Sequence, residues 1–129
     1  MLVKIPELEE IPLDEIVDLR HRAHHIVGEK YEEAPYSQTM EMLYDLLGKR
    51  VKLLMDKQSF VEASLNIDIS VEIGCQYGNQ KIIKMLRKEK AKGKKVFLVS
   101  DFYLPDSAYD DFLVNIQCQD LFDKVYISE

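Results

Sequence analysis

The chain has few cysteines, no long apolar run and no excess of positive charge, and each lack excludes something. Cys75 and Cys118 are its two cysteines. They match no metal-site spacing and are too few for a disulfide scaffold, so two free thiols in a reducing compartment are expected. No apolar stretch reaches the roughly 18 residues that a membrane span needs, and charges and prolines break the opening MLVKIPELEEIP before it could serve as a signal peptide. The cytoplasm is therefore the expected location. A formal net charge of −6 argues against nucleic acid or an anionic membrane as partner. No internal repeat or low-complexity segment occurs. What remains is ordinary for a globular chain: 129 residues, 47% hydrophobic and 31% charged, enough for one compact domain or a small domain and part of another.

The first half reads as helical. Residues 1–12 are expected as an extended arm. From Leu13 to about Lys30, Ile16, Leu19, Ala23, Ile26 and Val27 form one apolar stripe, with Asp14 and Glu15 in the first turn where the helix dipole favours them. His21, His24 and His25 lie within one turn of the opposite face. That spacing suits a metal in principle, but no carboxylate or cysteine stands at ligand spacing, and solvated histidines are the expectation. After the connection at 32–36 (EEAPY), Ser37 or Thr39 can cap a second helix, with Met40, Leu43, Tyr44 and Leu47 buried and Gly48 at its end. A third element from Val51 is helical by pattern at first. Then Leu65, Ile67, Ile69, Val71 and Ile73 alternate with polar residues, a strand signal with no turn to separate it from the helix before it.

GCQYG at 74–78 breaks the pattern. Asn79 caps a fourth helix, about 80–92, which buries Ile82, Ile83 and Leu86 and closes at Gly93. Eight basic residues and one acidic, Glu89, fall between Lys81 and Lys95. Without interleaved aromatics, a solvated lysine face is expected here, not a phosphate-backbone patch.

The chain is organised around residues 94–105, KKVFLVSDFYLP. Val96, Phe97, Leu98 and Val99 read as a strand covered on both faces. Ser100 and Asp101 stand at its carboxyl end, and 105–107 (PDS) offers cap chemistry to a helix over 107–116 that buries Tyr109, Phe112, Leu113 and Ile116. KVYIS at 124–128 is a second strand. Strand, helix and strand at this spacing make a parallel βαβ unit, and ligands in such sheets collect outside the carboxyl ends of the strands.

These residues resemble the haloacid dehalogenase-like hydrolases. KGKKVFLVSDFYLP, an amphipathic helix and FDKVYISE are similar to the branch whose second motif is a hydrophobic run followed by Ser-Asp, an aromatic or Met, and Tyr-Leu-Pro. The resemblance implies an α/β fold: a helical cap-like region over 1–78 and a partial Rossmann-like core over 79–129. It also favours helix over strand for 65–73, which resembles a cap segment. The family transfers phosphoryl groups through an aspartyl-phosphate, with Mg²⁺ in the full-length relatives and small phosphorylated substrates. Ser100 matches the hydroxyl that holds a phosphoryl oxygen, and Asp101 the residue beside it. These two are the candidate phosphate-binding residues.

The departure is as informative. The first motif, Asp-x-Asp-x-Thr after a hydrophobic strand, does not occur before Ser100; Asp68 lies in NIDIS, with Ser70 two residues on. The later Lys and the acidic metal pair would fall beyond Glu129. No catalytic or metal-binding residue is assigned in this chain and no Mg²⁺ is expected to bind it specifically. The expectation is an inactive fragment or degenerate relative of a phosphohydrolase. The alternative is a non-enzymatic interaction module using its helical face, or an exposed sheet edge that recruits a second chain.

Overall fold

The computed structural model describes residues 5–32 and 34–127. Among these residues it is a mixed α/β structure with five α-helices, α1 (Leu13–Tyr31), α2 (Tyr36–Leu47), α3 (Lys57–Cys75), α4 (Gln80–Ala91) and α5 (Ser107–Asn115). Two strands, β1 (Phe97–Ser100) and β2 (Lys124–Ile127), complete it. The first four residues of the expected arm, Glu33 of the expected connection and Ser128 of the expected second strand lie outside the described residues. The chain forms two compact units, Met1–Asp68 and Ile69–Glu129. The division falls inside α3, whereas the sequence pattern changes after Gly78.

In the first unit the stripe of α1 faces α2. Ala23 and Val27 are buried with Met40, Leu43 and Leu47 of α2 and with Phe60 and Val61 at the start of α3. Tyr44 meets Phe60 edge-on at 5.5 Å and donates to the Met55 carbonyl at 2.7 Å. Several local expectations change. The arm contains a short 3-10 helix, Pro6–Leu8, and ends on a buried Ile11. Neither Ser37 nor Thr39 caps α2. The helix starts after Pro35, whose carbonyl already accepts from Thr39 N–H at 3.0 Å, so both residues lie inside the first turn. Gly48 ends α2 in the right-handed region, at φ −63°, and not in the left-handed one.

The third element begins later than its pattern suggests. Residues 51–56 are irregular, and Asp56 starts α3 by accepting from Ser59 N–H at 2.8 Å and Ser59 Oγ at 2.9 Å. These bonds hold the Asp56 carboxyl below the ordinary carboxylate range. The alternating stretch 65–73 is helical throughout. Its polar residues explain part of this: the carboxylate of Asp68 accepts both guanidinium nitrogens of Arg20, at 3.2 and 2.7 Å, and the Tyr36 hydroxyl at 2.6 Å. One polar side chain of α3 is thereby tied to α1 and α2 at once.

The second unit is built on a two-stranded parallel sheet, with Phe97 beside Lys124, Leu98 beside Val125, Val99 beside Tyr126 and Ser100 beside Ile127. Asn79 caps α4 by accepting from Ile82 N–H at 3.3 Å. Gly93 ends the turn after α4 at φ +87°, a left-handed conformation that glycine adopts without Cβ strain. Asp123 joins the strand entries, donating its N–H to the Val96 carbonyl at 2.7 Å while its carboxylate accepts Val96 N–H at 2.7 Å.

Contrary to the expectation for its apolar run, β1 is not covered on both faces. Ile83 and Leu86 of α4, Leu113 of α5 and Ile116 just after it pack with Leu98, Val125, Cys118 and Leu121. Both helices thus lie on one side. The opposite face leaves Phe97 53%, Val99 76% and Tyr126 46% exposed. For the same reason Ile82, on the outer side of α4, is half exposed and not buried.

Candidate functional site

The residues at the end of β1 hold one another. The Ser100 hydroxyl shares a short hydrogen bond with the Tyr109 hydroxyl of α5. It also accepts from the Phe102 N–H at 3.3 Å. The second contact is a serine turn, in which a side-chain oxygen two residues back stands in for a backbone acceptor. Phe102 sits at the centre of an aromatic group. Its ring is 4.5 Å from that of Tyr103, 6.2 Å from Tyr109 and 6.1 Å from Phe112, all near edge-on. Leu104 is fully buried behind them, and Tyr103 donates to Glu72 at 2.8 Å.

This places the two sequence candidates differently. Ser100 is half-buried, whereas Asp101 is exposed. A hydroxyl has one proton to give and two positions at which to accept. Ser100 and Tyr109 have two protons between them, and one is spent on their mutual bond. The pair therefore retains one proton for an outside acceptor, delivered by whichever oxygen is not donating inward. Tyr109 was expected only as a core residue of α5. A tyrosine within the first turn of the helix after a strand-end serine is the signal that could have revealed its second role.

Asp106 precedes α5 without a side-chain cap; the turn is closed by Ala108 N–H on the Pro105 carbonyl at 2.9 Å and Tyr109 N–H on the Asp106 carbonyl at 3.0 Å. Among the described residues no three or more His, Cys, Asp or Glu side chains are grouped so as to hold a metal ion. The donors at the strand end, a serine hydroxyl and an exposed carboxylate, do not make a Mg²⁺ site by themselves.

The three histidines are exposed, and His25, contrary to expectation, has a carboxylate partner. Glu29, four residues on, lies 3.2 Å away. The basic segment divides in two. Arg87 bonds Asp120 at 3.2 Å and the Gln117 carbonyl at 2.8 Å. Lys90 reaches the Asp120 and Leu121 carbonyls at 3.0 Å each, and Lys92 and Lys94 pair with Glu89. Accordingly, Glu89 is held below the ordinary carboxylate range by Lys94 and Lys92, and Asp120 by Arg87. Asp123 is also lowered, chiefly by the Val96 N–H. Half of the run thus serves the fold. Cys75 is exposed and Cys118 buried, both as free thiols. No helix among the described residues is long and apolar enough to cross a membrane.

No protein-family model matches the chain, and no curated protein shows significant similarity to it.

Proposed function

We propose that this chain is the helical cap and second-motif part of a haloacid dehalogenase-like phosphohydrolase, and that by itself it does not hydrolyse phosphate esters. The observation that carries the reading is Ser100-Asp101 at the carboxyl end of β1 in a parallel β1–α5–β2 unit, with Phe102–Leu104 folded against α5. Ligands of parallel α/β units bind at that end. Ser100 would donate to a phosphoryl oxygen, with Tyr109 fixing its rotamer. In a full-length relative, Mg²⁺ would supply charge neutralisation at the phosphoryl group. Phosphoryl transfer rests on positioning and electrostatics, and a serine hydroxyl replaces neither an in-line carboxylate nor a divalent cation.

Two measurements test this. The purified chain, assayed with p-nitrophenyl phosphate and Mg²⁺, is expected to show no turnover above buffer; clear turnover abolished in Ser100→Ala would overturn the claim of inertness. The genomic frame around the coding sequence is expected to contain Asp-x-Asp-x-Thr after a hydrophobic stretch, upstream of Met1. Stop codons flanking both ends would sink the fragment reading.

A second reading is a protein-interaction module. The exposed Phe97, Val99 and Tyr126 on one sheet face favour it, since parallel strands are ordinarily buried on both sides. Among the described residues β1 and β2 pair only with each other, so each also has an unpaired edge.

A further inference from the structure

Charge is unevenly distributed along the chain. The nine Lys and Arg of the second unit balance its nine Asp and Glu, so the whole net charge of −6 falls on the first unit. Within the second unit the bases are concentrated on α4. Lys81, Ile82, Lys84, Met85 and Lys88 share the exposed side of that helix, opposite Leu86 and Lys90, which face the fold. Ile82 is 49% and Met85 54% exposed, and α4 contributes no fully buried residue. Among the described residues, Lys81, Lys84 and Lys88 form no ion pair, in contrast to Arg87, Lys90, Lys92 and Lys94. Beside Lys84 and Lys88 runs an open groove of about 550 Å³, lined also by Gln80, Ile83, Arg87 and Ala91. Ile82 and Met85 thus form an apolar strip set among Lys81, Lys84 and Lys88.

The first unit carries the opposite pattern. Leu13 and Val17, one turn apart on α1, are 76% and 43% exposed. Asp14 and Asp18 flank them, with Glu10 just before the helix, and all three are exposed. This acidic, apolar face lies opposite the stripe that packs on α2. At about 1.5 Å per residue the face extends about 10 Å along α4 and about 7.5 Å along α1, to which Glu10 adds just before the helix.

We propose that a second copy of this chain docks the Glu10–Leu13–Asp14–Val17–Asp18 face of its α1 on the Lys81–Lys84–Met85–Lys88 face of α4. The charges select this pairing, because α4 against α4 and α1 against α1 would each oppose like charges. The contact is heterologous. It closes as a dimer if each copy gives both faces to the other, and continues head to tail if not. It is distinct from the sheet edge and does not rest on the phosphohydrolase reading.

Charge reversal tests it directly on the full chain. By sedimentation equilibrium at about 0.05 M salt, where screening is weak, the wild-type chain is expected to associate, and to dissociate as salt rises. K84E/K88E and D14K/D18K should each weaken self-association at least about tenfold. An equimolar mixture of the two should recover it, since K84E/K88E then offers two acidic faces to the two basic faces of D14K/D18K. Asp14 also accepts the Glu15 N–H at 3.0 Å. If D14K/D18K loses its helical circular dichroism, E10K/D18K takes its place. A monomeric wild-type chain, association indifferent to both reversals, or a mixture that stays dissociated would each overturn the proposal.

Discussion

The Tyr36 hydroxyl donates to the same Asp68 carboxylate that receives both guanidinium nitrogens of Arg20. Tyr36 is buried and the Asp68 side chain is 14% exposed, while Arg20 remains 39% exposed. The three residues come from α2, α3 and α1. This carboxylate therefore ties all three helices of the unit together. A partly buried carboxylate that accepts from two helices at once couples their positions, so removing it costs more than removing one donor.

Asp68→Ala is accordingly expected to destabilise the chain by about 2–3 kcal/mol, since it removes the carboxylate that Arg20 and Tyr36 share. Tyr36→Phe removes one hydrogen bond and should cost about 1 kcal/mol. Urea unfolding followed by circular dichroism reads both. A double-mutant cycle should show that the two losses do not add. A loss below about 0.5 kcal/mol for Asp68→Ala would mean that the network does not hold the helices.

Acid should loosen the chain at identifiable places. Asp56, Glu89, Asp120 and Asp123 all have lowered carboxyl pKa values, from Ser59, from Lys94 and Lys92, from Arg87 and from the Val96 N–H respectively. A carboxyl depressed in the folded state contributes its stability above the unfolded value, about 4. That contribution fades as pH falls through the folded value. The unfolding midpoint is thus expected to hold steady near neutrality and to drop below about pH 4. Asp56→Asn keeps a capping oxygen but cannot titrate. Its stability–pH curve should be flatter than the wild type's at the acid end, and identical curves would remove Asp56 from the account.

Part of this was legible in the sequence because it rests on local chemistry. Asn79 as the cap of α4, Gly93 at its end and the parallel strand–helix–strand of the second unit follow from side-chain type and spacing. At 65–73 the alternation pointed to strand, because period two is a local signal, whereas the resemblance favoured helix, which is what α3 forms. The partners of Asp68, namely Arg20 and Tyr36, lie 48 and 32 residues away, and no local window contains them. β1 misled in the other direction. An apolar run says that a strand could be covered on both faces, but coverage depends on where the helices go, and α4 and α5 both pack against Leu98 and Val125. At the strand end, Ser100 and Asp101 were visible from their type, but the Ser100–Tyr109 bond joins residues on two different elements.

The one-sided sheet gives a sharp contrast between neighbouring residues. Leu98 packs into the cluster of Leu113, Cys118 and Leu121, whereas Val99 is 76% exposed. Leu98→Ala should cost about 2 kcal/mol. Val99→Thr should change stability by less than about 0.5 kcal/mol and reduce binding of a hydrophobic dye to the open face. Equal costs at the two positions would mean that something covers both faces.

The hydroxyl pair at the end of β1 can be separated by removing either oxygen. If Tyr109 fixes the Ser100 rotamer, Tyr109→Phe keeps the ring among Phe102 and Phe112 but frees the serine to rotate. The loss of stability should be about 1 kcal/mol, against about 3 for Tyr109→Ala, which also empties the aromatic group. The more telling readout is the Phe102 amide, whose hydrogen bond ends on Ser100 Oγ. Its exchange with solvent should quicken in both Tyr109→Phe and Ser100→Ala, while amides in α4 keep their wild-type protection. Should Tyr109→Phe leave the Phe102 amide as protected as in the wild type, the tyrosine packs beside the serine without positioning it. Its place at the strand end would then be one of shape alone.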